Sequence, residues 1–494
     1  MHRRDALRIL GSSFAALPLV CGLKPVRGHA AEFPNIIFVM ADDHRKDALS
    51  IYGNRILKTP NIDRIGNEGI RFDEAFVTNS LCGPSRASFL TGLYSHANGV
   101  ISNASPHFEN QAGLKPEQRT FVRHLHNAGY YTGVVGKWQV RTWPDDAFDH
   151  WVVFPGHGEY IDPDMVARGT RVKMRGHADD VVGDQALTFL DQRPRGRPFC
   201  LLLWFKSPHR AWRPSARYER AFDDIDIPLP RTFEDKFEGR PDALRKATMA
   251  IADMPDFRDR GVSPDLPVEE RKRLNLQMLV KNYYRVLLSI DDNVGRLLEY
   301  LDANSLSHNT LVIYSSDNGF FLGEHGLYDK RLMYEPSIRV PFLARWPARI
   351  PAGRIDRDHM VLNVDLAPTL LNAADIPMPS NWHGRSMLPL MTGGATSWRN
   401  AFLYEYFEYP AQHCVRKNRG VRTKQWKLIH FWEQPQEWEL YDLQNDPDEL
   451  CNLAGSQDHA TVLSMMKERL QRVRDEVGDR DPPGPVPIAQ PCYD

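Results

Sequence analysis

Apolar positions along the chain change their pattern once near residue 393, and the change divides it. From Asn35 to about Ala374, short continuous apolar runs alternate with helical patterns. That alternation predicts an α/β domain with a large, mostly parallel sheet flanked by helices. The run Asn35-Ile36-Ile37-Phe38-Val39-Met40 has no polar alternation, so it reads as a strand buried on both faces, and it ends in Ala41-Asp42-Asp43. Thr310 to Ser316 repeats the design and runs into Asp317-Asn318-Gly319. Two polar pairs thus stand at strand C-terminal ends, the edge at which open α/β sheets bind ligands. Thr59-Pro60 caps and starts a helix through Asn67 that Gly69 stops, and a long helix is expected from Glu269 to Asn304.

Beyond Gly393-Gly394 the pattern becomes short aromatic strands at Phe402 to Phe407, Gln425 to Trp432 and Trp438 to Leu443, then a helix from His459 to about Val477. A small antiparallel sheet with one packing helix follows from it. The expected boundaries are 32–392 for the large domain and 393–494 for the small α+β one. Asp223 to Pro267, rich in Pro, Asp and Arg without a clear period, reads as a surface insertion near the substrate side, and Asp481 to Pro487 as a tail.

Residues 1–31 stand apart. Arg3-Arg4 precede an apolar stretch from Gly11 to Leu23 and a small-residue exit at Gly28-His29-Ala30-Ala31. This is the pattern of an export signal, and the paired arginines resemble a twin-arginine leader. The stretch is too short to span a bilayer, so no integral membrane segment is expected and the mature protein should be periplasmic or extracellular. The remainder, in a chain of 494 residues with 42% hydrophobic and 25% charged residues, suits an ordinary globular protein. Over the full chain, 62 basic and 63 acidic residues nearly cancel, so no global field draws the protein to nucleic acid or an anionic membrane, and an anionic substrate must be gripped locally.

Without the leader five cysteines remain: Cys82, Cys200, Cys414, Cys451 and Cys492. Cys200 lies inside the apolar run Pro198 to Phe205 and reads as a buried inert thiol. Pairing among Cys414, Cys451 and Cys492 is left open by the spacing. Cys82 opens Cys82-Gly83-Pro84-Ser85-Arg86, with Thr91-Gly92 downstream. Pro84 suits a first helical turn, which would put residue 82 where free N–H groups and the positive helix end favour an anion, with Arg86 one turn on.

This segment resembles the sulfatase signature Cys-x-Pro-Ser-Arg. The resemblance implies an alkaline-phosphatase-like sandwich fold and a sulfate-ester hydrolase whose cysteine a maturation enzyme converts to formylglycine, the hydrated aldehyde then attacking sulfur. Asp42, Asp43, Asp317 and Asn318 match the family's metal ligands; four hard oxygen donors suit Ca²⁺, with Mg²⁺ as the alternative. Capping or turn roles would explain one such Asp or Asn, but not two strand-end pairs together with the cysteine motif. Lys137 in Gly136-Lys137-Trp138, His209 in Ser207-Pro208-His209, and Lys330 match further family positions, and with Arg86 would form a cationic pocket around sulfate. His209 and Lys330 carry over as groups on the sulfate and leaving oxygens, where a proton donor eases departure.

One position departs. The family usually has His two residues after the lysine, to take a proton from the second hydroxyl and release sulfate; Gln139 stands there. An amide positions a hydroxyl but is no base at neutral pH. The resemblance extends through Asp317 to Gly326 and Lys427 to Phe431, and there looks like bacterial N-acetylglucosamine-6-O-sulfatases of glycosaminoglycan breakdown. It implies a sulfated carbohydrate substrate, with Asp329 and Arg331 reaching sugar hydroxyls and His430 closing the site from the small domain. A sulfatase for another glycan, a phosphonate or phosphodiester hydrolase of the same fold, and a non-catalytic glycan-binding relative remain the alternatives.

Overall fold

The computed structural model describes residues 33–103, 114, 119–140, 142–394 and 397–481. The expected leader, Cys492 and the tail beyond Asp481 lie outside these residues. From Phe33 onward the described chain forms one compact unit.

Its centre is a ten-stranded sheet of β1 (Asn35–Ala41), β2 (Ile70–Phe72), β3 (Tyr131–Gly136), β4 (His150–Val153), β5 (Asp164–Ala167), β6 (Thr170–Lys173), β7 (Phe199–Trp204), β8 (Thr310–Ser316), β9 (Phe342–Arg345) and β10 (Arg354–Asp356). The order across the sheet is β10-β2-β9-β8-β1-β7-β3-β4-β5-β6. Central strands β8, β1, β7, β3 and β4 run parallel, and the antiparallel pairings involve β9, β5 and β6. Both ligand-bearing runs are thus adjacent: Ala41 pairs with Ser316, so the turns after β1 and β8 leave the sheet side by side.

The two sheet faces divide the core by the period of two that strands impose. Ile37, Val39, Leu201 and Leu203 pack with α4 (Val268–Ala303), whose Leu276, Leu279, Tyr283, Val286, Ile290, Val294, Leu297 and Leu301 recur at helical spacing. Ile36, Phe38, Met40 and Leu202 face the other way, onto α2 (Cys82–Thr91) and α5 (Leu366–Ala373). The two other helices that bear on the design are α1 (Pro60–Asn67) and α3 (Ala178–Gln192). The expected helix boundaries at 60–67 and 269–304 agree with the structure to within a residue.

A four-stranded antiparallel sheet follows, β11 (Ala401–Tyr406), β12 (Asn418–Thr423), β13 (Trp426–Phe431) and β14 (Glu437–Asp442), covered by α6 (Ala460–Glu476). Strand β12 went unread in the sequence because Asn418-Arg419-Gly420-Val421-Arg422-Thr423 carries a single large apolar residue. This sheet grips the loop after β8: Tyr404 Oη donates to Arg331 O (2.7 Å), and Lys427 Nζ meets Glu335 Oε1 (2.8 Å).

Two expectations change. Asp223 to Pro267 is not a surface insertion, since Phe233, Leu244, Met249, Ile251 and Phe257 are buried. The segment fastens the small hairpin of Phe321–Leu322 and Tyr328–Asp329, with Tyr328 N–H donating to Met249 O at 3.0 Å. Cys414 is disulfide-bonded, whereas Cys451 is a free, exposed thiol and leaves the pairing set; Cys200 is free and buried, as expected.

Candidate active site

Cys82 is the first residue of α2, and Ser85 N–H donating to Leu81 O (2.9 Å) closes the first turn. Every residue of this helix is buried, which directs its N-terminus into the protein at the C-terminal edge of the sheet. There Cys82 Sγ lies 3.5 Å from Asp42 Oδ1 and 3.7 Å from Lys137 Nζ. Burial, and then Asp42, push the thiol up to about 12. An unmodified Cys82 is therefore a protonated, unreactive thiol.

The strand-end groups converge. Carboxylate oxygens of Asp42, Asp43 and Asp317 lie within 4.8 Å of one another. Asp43 N–H donates to Asp317 Oδ1 (3.0 Å), and Asn318 Nδ2 donates to Asp43 Oδ1 (2.6 Å). Three cations press on the cluster. Arg86 donates through Nε to Asp317 Oδ2 (2.9 Å), Lys330 Nζ to Asp43 Oδ2 (2.7 Å), and Lys137 Nζ to Asp42 Oδ2.

The charges do not balance evenly. Burial raises Asp42, but Lys137, His209, Arg86 and Lys330 outweigh it and hold the carboxyl well below its ordinary range. Asp317 is pushed up to about 7 by burial and then Asp42, against Arg86, and Asp43 is also raised by burial despite Lys330. Two crowded carboxylates short of positive charge form a site that a divalent cation would relieve. Asn318 Oδ1 completes the case: it is buried without a hydrogen-bond partner among the described residues, a neutral hard donor beside three anionic ones. The donor set fits an oxygen-loving ion rather than zinc.

Beside this cluster, His209 Nε2 stands 3.9 Å from Asp43 Oδ2, and its Nδ1 is 2.8 Å from Arg210 O. Burial and then Lys137 hold His209 well below its ordinary range, so the ring is neutral. A cleft of about 270 Å³ opens over Lys330 and His209 and is lined also by Asp329, Arg331, Arg210, Glu408 and His157. Asp329 is held well below the usual carboxylate range: burial raises it, but Arg331, His413 and Lys330 prevail. Its Oδ2 is 2.9 Å from His413 Nε2.

The structure brings together Cys82, Arg86, Lys137, His209, Lys330 and the four oxygen ligands, with Asp329 and Arg331 at the cleft. Gln139 meets α2 at Gly83, its carbonyl oxygen lying 3.0 Å from where a Cβ on Gly83 would sit. His430 does not join them. Its ring stacks on Trp438 at 3.6 Å, and Arg419 and Lys467 of α6 act on it. Along β13, Lys427 points to Glu335 beneath the sheet, so alternation turns His430 to the opposite face, toward α6. The small domain's histidine at the cleft is His413, which lies in an aperiodic segment between strands. His157, Arg210 and Glu408 were likewise unread, being single polar residues in loops.

Comparison with known proteins agrees with this geometry. A family model described as Sulfatase matches residues 34–376, and one described as N-sulphoglucosamine sulphohydrolase, C-terminal, matches 323–476. The N-acetylglucosamine-6-O-sulfatase of Bacteroides thetaiotaomicron is 37% identical over 95% of this chain and 91% of its own. The human N-acetylglucosamine-6-sulfatase is 28% identical over 96% of this chain and 91% of its own. Among solved structures, BT4656 in complex with its substrate D-glucosamine-2-N,6-O-disulfate superposes with a TM-score of 0.83 at 37% identity, covering 91% of this chain and 99% of that one. A buried cysteine on a helix N-terminus, a cluster of hard oxygen ligands and a ring of cations thus occur in a chain matched along most of its length, and the chain belongs to the sulfatase family, the sulfuric ester hydrolases.

Proposed function

We propose that this enzyme removes the 6-O-sulfate of N-acetylglucosamine in glycosaminoglycan fragments, after export and after a maturation enzyme has converted Cys82 to formylglycine. The observation that carries the reading is the junction of two chemistries: the cleft is lined by Lys330 together with Asp329 and Arg331, groups suited to sugar hydroxyls, with His413 on Asp329, and fully buried Arg86 and Lys137 join Lys330 on the acidic cluster beside Cys82. The names of the relatives support the sugar and the position of the sulfate.

As formylglycine, residue 82 would supply a hydrated aldehyde as the nucleophile toward sulfur, and Asp42, Asp43, Asp317 and Asn318 would hold a calcium ion, whose positive charge would favour the sulfate oxygens. The chain's own residues do the rest. Lys137 and Arg86 add fixed charge where the transition state spreads negative charge, in a pocket that excludes water. Lys330 is raised above its ordinary range, because Asp43, Cys82 and Asp329 outweigh its burial, so it stays protonated and can hand a proton to the departing sugar oxygen. Asp329 is kept ionised and accepts from sugar hydroxyls, and Arg331 donates to them. Among the described residues no helix is long and apolar enough to cross a membrane, which is compatible with an exported enzyme.

A panel of position-defined sulfated sugars tests the substrate. 6-Sulfated N-acetylglucosamine is expected to release sulfate, and 2-sulfated uronate none; the reverse would sink the sugar assignment. The ion is tested on stability. With free Ca²⁺ at 100 times its dissociation constant, unfolding should cost about 2.7 kcal/mol more than in chelator. An unchanged melting curve across a calcium titration would refute the site.

A further inference from the structure

Glu408 lines the cleft, and the reaction as drawn gives it no task. It lies two residues beyond β11 and is 4% exposed. Its Oε2 accepts from Asn103 N–H at 2.5 Å, and Asn103 Oδ1 in turn accepts from Gly83 N–H at 2.8 Å, in the first turn of α2 next to residue 82. The fit there is close, since a Cβ on Gly83 would lie 3.0 Å from Asn103 Oδ1. One oxygen of Glu408 is thus fixed in place relative to the nucleophile's helix. The other, Oε1, has no hydrogen-bond partner among the described residues, and Glu408 enters no ion pair among them. Asp329, the cleft's other carboxylate, is occupied on both oxygens: Oδ1 accepts from Lys330 N–H (2.8 Å) and from Arg331 Nη1, and Oδ2 is 2.9 Å from His413 Nε2.

We propose that Glu408 is a further substrate-binding residue, whose Oε1 accepts a hydrogen bond from an N–H or O–H group of the sulfated sugar. The inference deepens the substrate reading above and rests on it. A carboxylate in a cleft that takes a sulfate ester repels the ester, so on charge alone Glu408 weakens binding. A neutral donor on the sugar reverses the balance, because a hydrogen bond to an ionised acceptor is roughly twice as strong as one between neutral groups. Closure of the cleft by the sugar sharpens the requirement. A carboxylate oxygen cut off from water and left without a donor forfeits its hydration and gains nothing in return. N-Acetylglucosamine carries both kinds of donor, hydroxyls and one amide N–H, whereas glucose has a hydroxyl in place of the amide.

The test measures KM, kcat and melting temperature for matured wild type, E408Q and E408A, with 6-sulfated N-acetylglucosamine and glucose 6-sulfate as probes, and with Ki in place of KM where a sugar releases no sulfate. Glutamine has one oxygen where glutamate has two. With that oxygen on Asn103 N–H, E408Q turns an NH₂ group toward the sugar's donor. E408Q should therefore raise KM on 6-sulfated N-acetylglucosamine by about 10–100-fold with little change in kcat, and melt close to wild type. E408A should raise KM as far and also melt lower, because Asn103 N–H loses its acceptor. The two probes identify the donor: equal losses of affinity assign the hydrogen bond to a hydroxyl that both sugars carry, and a loss confined to 6-sulfated N-acetylglucosamine assigns it to the amide N–H. An unchanged KM in E408Q overturns the proposal, and a fall in kcat or in melting temperature beside that unchanged KM would mark a residue that only anchors Asn103. Wild type that releases no sulfate from 6-sulfated N-acetylglucosamine sinks the substrate reading itself, and this inference with it.

Discussion

Cys82→Ala, produced in a host with the maturation machinery, is expected to lose sulfate release by roughly 10⁶-fold, the scale on which removal of a nucleophile acts. The residue is fully buried at the first position of α2, and only one sulfur atom is deleted, so the variant should fold and melt close to wild type. The same loss is expected of wild-type protein made in a host without that machinery. Its thiol, pushed up to about 12 by burial and Asp42, holds almost no thiolate at neutral pH and has no second hydroxyl to offer. Both proteins should still bind Ca²⁺, because Asp42, Asp43, Asp317 and Asn318 are intact. Steady-state sulfate release beside a calcium-dependent melt checks the pair. Turnover within tenfold of the matured enzyme in either would remove residue 82 from the reaction.

The parts of the site that were legible in the sequence are those where local pattern and chemistry coincide. An uninterrupted apolar run must be a doubly covered strand, so the polar residues that end it must emerge at a sheet edge; Asp42 and Asp317 follow from that alone. Their adjacency does not, since it depends on β8 lying next to β1, which the chain states only in three dimensions. Cleft residues contributed by loops had no period to betray them. His413 and His157 each follow a strand by several residues with no repeating signal, and only tertiary packing turns them to Asp329 and to His209. His430 shows the same limit on β13. Lys427, Ile429 and Phe431 form one face of β13, so His430 belongs to the other, with Leu428. Which of the two faces meets the large domain is fixed by Lys427 reaching Glu335, a contact that exists only in three dimensions.

Arg86→Ala should be the most destabilising single change at the site, and its cost should depend on calcium. Arg86 is fully buried, donates through Nε to Asp317 Oδ2, holds the same oxygen through Nη2 at 2.8 Å, and reaches Asp42 Oδ1 at 3.7 Å. Its guanidinium also lies 5.2 Å from the Trp204 ring. Removing one partner from a buried, hydrogen-bonded pair leaves an uncompensated charge, at a cost of about 3–5 kcal/mol. Asp317 is already raised to about 7 with Arg86 present, so without it the carboxyl would be driven further toward its protonated form. A divalent ion at Asp42, Asp43 and Asp317 supplies part of the missing positive charge. The melting temperature should therefore drop most in chelator and recover partly in saturating Ca²⁺, with calcium affinity weakened because a more readily protonated Asp317 competes with the metal. Arg86→Lys, which keeps the charge and loses the planar fork, should fall between wild type and Arg86→Ala in stability. Equal destabilisation of Arg86→Ala with and without calcium would mean that Arg86 and the ion do not share those carboxylates, and the charge balance drawn for the site would be wrong.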